Sequence, residues 1–284
     1  MTEATIRIPA TTANLGPGFD CLGIALQLAN RVTVEASEGS EQAVHTGMVG
    51  DAAARFFAVS GMAPIPFDWS IAGDVPQSRG MGSSVTVRLG LLHGLNELSG
   101  APLKATQLFD ICAELEGHPD NAAPAAFGGF AVSKPGARPV IFPVDESLHF
   151  VLLIPDFEVS TPEARKVLPK ELDRLDAVES VVNACRITAA FASRDYEALR
   201  GAFDDHLHQP HREPLIPFLR KVISAGESAG AIGGWLSGSG STICCLTMSN
   251  PDAVAAAMLS AANSPNARTV ITKADNRGTT RITA

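Results

Sequence analysis

Residues 75–86 (VPQSRGMGSSVT) join a predicted strand to a predicted helix through two glycines and two serines. The backbone N–H groups in the first turn of a helix lack internal partners, and with the helix dipole they attract anions. Gly80 and Gly82 permit positive φ angles and the close approach of a bulky anion. Ser83 and Ser84 can cap the helix or reach a metal that bridges phosphate oxygens. The stretch therefore indicates a phosphate cradle, with a capped glycine turn as the simpler alternative.

Three better-known glycine motifs do not fit this stretch. A P-loop is excluded because no Gly-Lys-Ser/Thr follows the glycines. In a dinucleotide fingerprint Val85 would have to be glycine, and an acidic residue about 20 positions on is missing. The G-x-S-x-G elbow of serine hydrolases occurs neither here nor in residues 237–242 (SGSGST).

A second polar cluster lies in residues 116–124 (EGHPDNAAP), at the predicted entry of a helix. As pure structure, Asp120 or Asn121 would cap that helix. As chemistry, the cluster offers a carboxylate for a metal, a second carboxylate near an acceptor hydroxyl, and two hydrogen-bonding groups.

Residues 9–23 (PATTANLGPGFDCLG) place Asn14 and Asp20 among Gly-Pro turns. A loop with a defined backbone and exposed polar side chains suits ligand binding. The alternative is an architectural turn in which Asn14 only stabilises the backbone.

His206, His208 and His211 raise the question of a zinc site. Their spacing matches no standard pair of ligand pairs, so a solvated or substrate-facing helix end is the better interpretation.

Hydrophobic periodicity predicts an α+β fold in two parts, residues 1–145 and 146–284, with a boundary at Asp145. The predicted strands are residues 5–8, 31–34, 67–71, 128–133, 148–154, 243–248 and 269–272, with a last one near 281. The predicted helices are residues 83–98, 103–115, 161–168, 172–193, 196–203, 215–229 and 251–263.

The composition of the 284-residue chain excludes several functional classes. A net charge of −8 without a basic run argues against nucleic acid as a partner. No stretch approaches the roughly 18 apolar residues of a membrane span, and no signal-peptide pattern occurs, so we expect a cytoplasmic protein. Five scattered cysteines indicate neither disulfides nor a zinc ribbon, which fits a reducing compartment.

Six segments together resemble the GHMP kinase superfamily, and within it the members that phosphorylate homoserine. They occur in the order typical of that group and cover most of the chain. The segments are residues 9–26, 76–84, 116–130 (EGHPDNAAPAAFGGF), 161–169 (TPEARKVLP), 208–217 (HQPHREPLIP) and 236–242 (LSGSGST).

The resemblance implies a ribosomal-protein-S5-like N-terminal domain and a ferredoxin-like C-terminal domain, with ATP and substrate bound between them. It implies transfer of the γ-phosphoryl group of MgATP to the side-chain hydroxyl of L-homoserine, a step of threonine biosynthesis. ATP, Mg²⁺ and homoserine are the implied ligands, and a second copy of the chain is an implied partner.

The same resemblance assigns roles to individual residues. The residues expected to bind the phosphates of ATP are Pro76, Arg79, Gly80, Met81, Gly82, Ser83, Ser84, Ser237, Gly238, Ser239 and Gly240. The residues expected to bind homoserine are Asn14, Asp20, His118, Asp120, Asn121, Thr161, Arg165 and Arg212. Ser84 and Glu116 would hold Mg²⁺. The expected catalytic residues are Ser84, Glu116 and Asp120. Asp120 is expected to position the hydroxyl, with base catalysis as the weaker hypothesis, while the two arginines suit a carboxylate.

Two alternatives stay open at the level of sequence. One is a kinase of the same superfamily acting on another small alcohol, such as threonine or shikimate. The other is a nucleotide-binding relative without catalysis, although such a module has no need of the complete set Ser84, Glu116 and Asp120. The segment between residues 36 and 66 is also shorter than usual in the family, which leaves the choice of nucleotide open.

Overall fold

Two antiparallel sheets form the frame of the protein, whose computed structural model describes residues 2–37 and 45–283. The first sheet has the order β10-β1-β2-β4-β5, with β3 also paired to β2, and the second has the order β7-β8-β6-β9. The strands are β1 Glu3–Ala13, β2 Leu22–Ala36, β3 Phe67–Gly73, β4 Phe130–Val132, β5 Val140–Phe142, β6 His149–Ile154, β7 Gly233–Leu236, β8 Ile243–Thr247, β9 Arg268–Thr272 and β10 Thr280–Ile282.

Nine helices of the described residues pack on these sheets. They are α1 Gly47–Ser60, α2 Ser83–Leu98, α3 Ala105–Glu116, α4 Ala122–Phe127, α5 Thr161–Lys166, α6 Arg174–Ser193, α7 Gln209–Arg212, α8 Leu219–Ser228 and α9 Pro251–Ala262. Their ends follow local rules: α3 stops at Gly117 with φ +81°, and Ser160 and Glu163 form a capping box that starts α5.

Strand β6 shows why an uninterrupted apolar run becomes a central strand. It lies between β8 and β9, and both of its faces are covered. Phe150, Leu152 and Ile154 pack into the core between the two sheets, while Val151 and Leu153 pack under α8 and α9. A strand buried on both faces needs apolar residues at every position.

The core between the sheets joins the two halves of the chain. Ile24 and Phe130 of the first sheet share it with Trp235 of the second, and the Trp235 indole N–H donates to Thr12 Oγ1 at 2.9 Å. The last strand, β10, returns to pair with β1 in the first sheet. The division at residue 145 therefore stays a prediction, since the closing segment of the second half completes the sheet of the first.

The α+β class is confirmed, and most of the predicted elements are present within a few residues. Two predicted helices were wrong in extent. Residues 196–203 form only a 3₁₀ turn at Tyr196–Leu199, because Arg200 leaves the helical region (φ −59°, ψ 125°) and Gly201 then takes φ +68°. Leu215 ends a 3₁₀ turn that starts at Glu213, and residues 216–218 are not helical, so α8 starts at Leu219.

The sequence patterns did not reveal α1, α7, β5 or β7. The helix entry predicted at residues 116–124 is confirmed by α4, which has Asn121 at its cap position but no capping hydrogen bond from a side chain. Part of the short segment between residues 36 and 66, namely residues 38–44, lies outside the described residues, so its effect on nucleotide choice stays a prediction. Among the described residues no helix combines the length and apolar composition needed to cross a bilayer.

His93 on α2 makes stability depend on pH. Its Nε2 atom is buried, with no hydrogen-bond partner among the described residues, and burial lowers the pKa of His93 from 6.5 to about 4. Between these two values the unfolded chain binds a proton at His93 that the folded chain does not. The free energy of unfolding must therefore fall as the pH drops from about 6.5 towards 4.

We expect His93→Gln to reduce this loss. Between pH 6.5 and 5 the wild-type chain should lose about 1.5 kcal/mol more unfolding free energy than the variant, measured by urea titration. The difference in unfolding free energy between the two proteins at pH 8 serves as the reference, because histidine is neutral there in both the folded and the unfolded state. Equal losses in the two proteins would contradict the assignment.

Candidate active site

A cleft of about 460 Å³ lies where the loops of both halves meet. It is lined by both polar clusters of the sequence, by the glycine-serine stretch and by the start of α5. The sequence-predicted site residues that line it are Asn14, Asp20, Gly80, Gly82, Ser83, Ser84, Glu116, His118, Asp120, Asn121, Thr161, Arg165, Arg212, Gly238 and Ser239. Positions up to 225 residues apart in the chain thus share one cleft.

Five sequence-predicted phosphate residues lie outside the lining: Pro76, Arg79, Met81, Ser237 and Gly240. Arg79 is turned away from the cleft, since its guanidinium donates to the carbonyls of Pro155 (3.0 Å) and Asp156 (2.6 Å). Met81 is buried in the core. The side chains of Arg79, Met81 and Ser237 are thus occupied by contacts within the protein.

The glycine-serine stretch forms a tight bend that opens α2. Gly80 and Gly82 have φ angles of +70° and +69°, and a Cβ on Gly80 would collide with the Ser237 carbonyl oxygen. Gly82 occupies the cap position and no side chain caps this helix, so the predicted serine cap is wrong. The first intrahelical bond runs from Thr86 N to Gly82 O at 3.0 Å. The preceding amides are therefore available to an anion.

Ser84 and Glu116 meet at one end of the cleft. Ser84 Oγ donates to Glu116 Oε2 at 2.9 Å, and Arg88, one turn along α2, pairs with Glu116 Oε1. The side chains of Glu116 and Arg88 are only 8% and 15% exposed, so each charge depends on the other. Serine and carboxylate oxygens are ligands that suit Mg²⁺.

Arg88 is a site residue that the sequence interpretation missed. The available signal was its position four residues after Ser84, which places both side chains on one face of α2. Its role became visible only when the structure brought the end of α3 to that face.

Asp120 is the most deeply placed carboxylate of the cleft and is 2% exposed. Its Oδ1 accepts hydrogen bonds from His118 Nδ1 at 2.8 Å and from the backbone N–H of Asn121 at 2.9 Å. Burial lowers the pKa of His118, but the hydrogen bond and the charge of Asp120 outweigh burial and raise it above its usual value. Donor atoms of Asp20, His118 and Asp120 lie within 4.8 Å of one another.

Asn14 serves the backbone of its loop. Its Nδ2 donates to the carbonyl of Gly238 at 3.0 Å, and its Oδ1 accepts from the backbone N–H of Asp20 at 3.0 Å. Asn14 and Asp20 both adopt positive φ angles, +71° and +58°. The structure thus gives Asn14 the turn-stabilising role that the sequence left open, and this turn orients Asp20.

Two arginines converge on the Asp20 side of the cleft. Arg165 binds the Asp20 carboxylate through two contacts of 2.7 and 3.2 Å. Arg212 is 2% exposed and donates to the carbonyls of Ala164 and Gly238, both at 3.0 Å. Both guanidinium groups lie over the ring of Phe19, at 5.4 and 5.3 Å from its centroid. Phe19 was also missed from the sequence.

Arg212 remains a cation in this buried place. Burial, and then the positive charge of Arg165, lower the pKa of Arg212 to about 10, which still leaves it protonated at neutral pH. Its Nη1 lies 3.2 Å from His208 Nδ1, while His208 Nε2 donates to the Gly16 carbonyl at 2.9 Å. Burial lowers the pKa of His208 to about 4, so the neutral ring accepts from Arg212 and donates to Gly16.

Among the described residues, His206, His208 and His211 do not form a group whose ligand atoms are close enough to hold one metal ion. His206 approaches Asp176 and Glu179 on α6, and His211 lies half-buried on α7. His208 is a positioning residue for Arg212 and the Gly16 turn.

Similarity to known proteins covers almost the entire chain. The profiles of the GHMP kinases N terminal domain and the GHMP kinases C terminal domain match residues 47–129 and 187–265. The homoserine kinase of Aquifex aeolicus is 37% identical, over 96% of this chain and 97% of its own. A homoserine kinase of Thermus thermophilus is 37% identical, over 94% of each chain.

Solved structures show the same relationship. The crystal structure of homoserine kinase from Cytophaga hutchinsonii aligns with a TM-score of 0.90 at 26% identity, over 99% of this chain and 98% of that one. A mevalonate kinase crystal structure aligns with a TM-score of 0.70 at 13% identity, which shows a shared fold alone.

The Arg88–Glu116 pair yields a stability prediction. We expect Arg88→Leu to lower the free energy of unfolding by about 3 kcal/mol, because Glu116 would stay buried without its counter-charge. Adding Glu116→Gln should restore much of the loss, as measured by urea unfolding at pH 7.

The exposed pair Arg55–Glu114 supplies a matched control. Its side chains are 41% and 56% exposed, so Arg55→Leu should cost less than about 1 kcal/mol. Similar losses for Arg88→Leu and Arg55→Leu would show that the first pair is not protected from solvent.

Proposed function

We propose that this chain, which belongs to the GHMP kinase family, transfers the γ-phosphoryl group of MgATP to the side-chain hydroxyl of L-homoserine. The product would be O-phospho-L-homoserine, an intermediate on the way to threonine. One observation carries the proposal: a phosphate cradle and a set of charges suited to an amino acid share one cleft. Membership of the family confirms the predicted two-domain fold and makes the protein an ATP-dependent kinase.

The phosphate end of the cleft would hold the triphosphate. The backbone N–H groups at the start of α2 would donate hydrogen bonds to the phosphate oxygens, so no lysine or arginine side chain is needed there. Ser84 and Glu116 would hold the magnesium ion, which their oxygen donors and their separation of 2.9 Å support. When bound, MgATP supplies the transferable group and a divalent charge that neutralises its phosphate oxygens.

The opposite end would hold the zwitterionic part of homoserine. The Asp20 carboxylate suits the ammonium group, and the planar guanidinium groups of Arg165 and Arg212 suit the carboxylate. In the structure Arg165 and Asp20 bind each other. When the amino acid binds, this ion pair would separate, so that Asp20 binds the ammonium group and Arg165 binds the carboxylate. Shikimate lacks an ammonium group and could not take the place of Arg165 at Asp20.

Asp120 lines the same cleft, close to Asp20, and would receive the acceptor hydroxyl. Phosphoryl transfer depends mainly on positioning and charge neutralisation, so a strong base is not compulsory. The hydrogen bonds from His118 and Asn121 hold the Asp120 carboxylate in one orientation. No lysine is present in the cleft lining of the described residues to form an Asp-Lys pair. Asp120 therefore acts as a positioning group in this proposal, with proton transfer as a secondary role.

A coupled assay of ADP release tests the substrate. With MgATP we expect L-homoserine to support turnover at a kcat/KM at least 100-fold above that of shikimate, because shikimate has no ammonium group to bind Asp20. L-Threonine, GTP and a reaction without acceptor complete the panel. ATP binding without homoserine-dependent ADP would leave a nucleotide-binding protein, and preference for another alcohol would replace homoserine as substrate.

Replacing Asp120 with asparagine separates the two roles of this carboxylate. We expect Asp120→Asn to lower kcat for homoserine about 10-fold with an unchanged KM for ATP, since the amide still occupies the site but orients the hydroxyl less well. A loss beyond about 100-fold would favour base catalysis. Asp110→Asn, on the exposed side of α3, is the control. Unchanged turnover in Asp120→Asn would remove the residue from both roles.

A further inference from the structure

The two carboxylate oxygens of Glu116 have different neighbours. Oε2 accepts a hydrogen bond from Ser84 Oγ at 2.9 Å, and Oε1 is paired with Arg88 Nη1. Ser84 and Glu116 belong to the cleft lining of the described residues, whereas Arg88 does not. Any effect of Arg88 on a ligand in the cleft must therefore act through Glu116.

The guanidinium of Arg88 is confined to this contact. Its Nε is buried without a hydrogen-bond partner among the described residues, and Glu116 accepts from its Nη1. Leu92 and Cys112, one turn after Arg88 and one turn before Glu116, are fully buried in the same core. Close packing on both helices leaves the arginine little freedom, and a guanidinium that left Glu116 would lose its counter-charge.

The contact with Arg88 leaves one oxygen of Glu116 for a metal ion. Because Oε1 is held by Arg88, only Oε2 is available beside Ser84. Ca²⁺ takes roughly six to eight oxygens in flexible geometry and often binds a carboxylate through both oxygens. Mg²⁺ demands near-octahedral geometry and keeps several waters beside a few protein and phosphate oxygens. A carboxylate restricted to one oxygen therefore favours Mg²⁺.

The spacing of the two oxygens that face the metal position agrees with this preference. Two ligands at right angles around Mg²⁺, each about 2.0–2.1 Å from the ion, lie about 2.9 Å apart. Ser84 Oγ and Glu116 Oε2 are separated by 2.9 Å. At the Ca²⁺ distances of about 2.3–2.6 Å, the same right angle requires a separation of about 3.5 Å. Arg88 opposes such a widening because it holds the carboxylate by its other oxygen.

We propose that Arg88 is a positioning residue that makes the metal site selective for Mg²⁺ over Ca²⁺, because it restricts Glu116 to coordination through one oxygen. This inference rests on the proposed function, since it takes Ser84 and Glu116 as the metal ligands. The positive charge of Arg88 weakens the binding of both divalent ions to a similar extent, whereas its hydrogen bond to Oε1 acts mainly against Ca²⁺. The ratio of the two affinities therefore separates the hydrogen bond from the charge.

Isothermal titration calorimetry with the non-hydrolysable analogue β,γ-imido-ATP measures this ratio without turnover. The affinity for the analogue is determined in excess Mg²⁺, in excess Ca²⁺ and in EDTA. We expect the wild-type chain to bind the Mg²⁺ complex at least about 10-fold more tightly than the Ca²⁺ complex, and Arg88→Met to reduce this ratio at least about 5-fold. Arg88→Lys, which can donate the single hydrogen bond that this contact uses, should retain most of the wild-type ratio.

The exposed pair of Arg55 and Glu114 again supplies the matched control. Arg55→Met removes the same charge from a pair that does not line the cleft among the described residues, so it should leave the ratio unchanged. Circular dichroism and urea unfolding show whether each variant is folded before the titration. A folded Arg88→Met protein with the wild-type ratio would overturn the role of Arg88 and leave the proposed function intact.

A crystal structure of the wild-type chain with Ca²⁺ and the analogue gives a test that needs no variant. We expect Glu116 to bind Ca²⁺ through Oε2 alone, with Oε1 still on Arg88. Binding of Ca²⁺ through both oxygens would overturn the inference. Equal affinity for the analogue in Mg²⁺ and in EDTA would instead refute Ser84 and Glu116 as metal ligands, and the role of Arg88 with them.

Discussion

The close contact between the backbone of Gly80 and the loop at residues 237–240 holds the active site together. Ser237 Oγ donates to the Gly80 carbonyl at 2.7 Å, Thr242 N donates to Arg79 O at 3.2 Å, and Gly238 N donates to Ala13 O at 3.1 Å. These bonds tie the glycine-serine stretch and the end of β1 to the second sheet. A Cβ at position 80 would collide with the Ser237 carbonyl oxygen, so the close packing of the two loops itself requires glycine there.

Charge pairing gives the cleft its second constraint. Arg212 is anchored through two carbonyls and His208, Glu116 is balanced by Arg88, and Asp120 is held by hydrogen bonds. Buried charges without such partners would cost several kcal/mol each. The polar groups of the site are therefore oriented before a ligand arrives, which reduces the entropy that binding and phosphoryl transfer must overcome.

Helix α6 connects this frame to the outside of the molecule. Its inner face contributes Phe191 to the core, where the ring stacks on Phe130 of the first sheet at 4.3 Å between centroids. The apolar pattern of residues 172–193 predicted the helix but could not show which of its apolar residues would be covered. Only the packed structure separates the two faces, because burial depends on elements that are distant in sequence.

The sequence by itself determined the elements with strong local signals and the residue types of the site. Helix α2 has the predicted bounds, β6 lies within its predicted range, and residues from every motif line the cleft. Only the tertiary structure decided that Arg79 turns away, that Arg88 neutralises Glu116, and that residues 196–203 do not form a full helix. Periodicity and turn chemistry act over a few residues, whereas the partner of a charge is set by segments brought together from far along the chain.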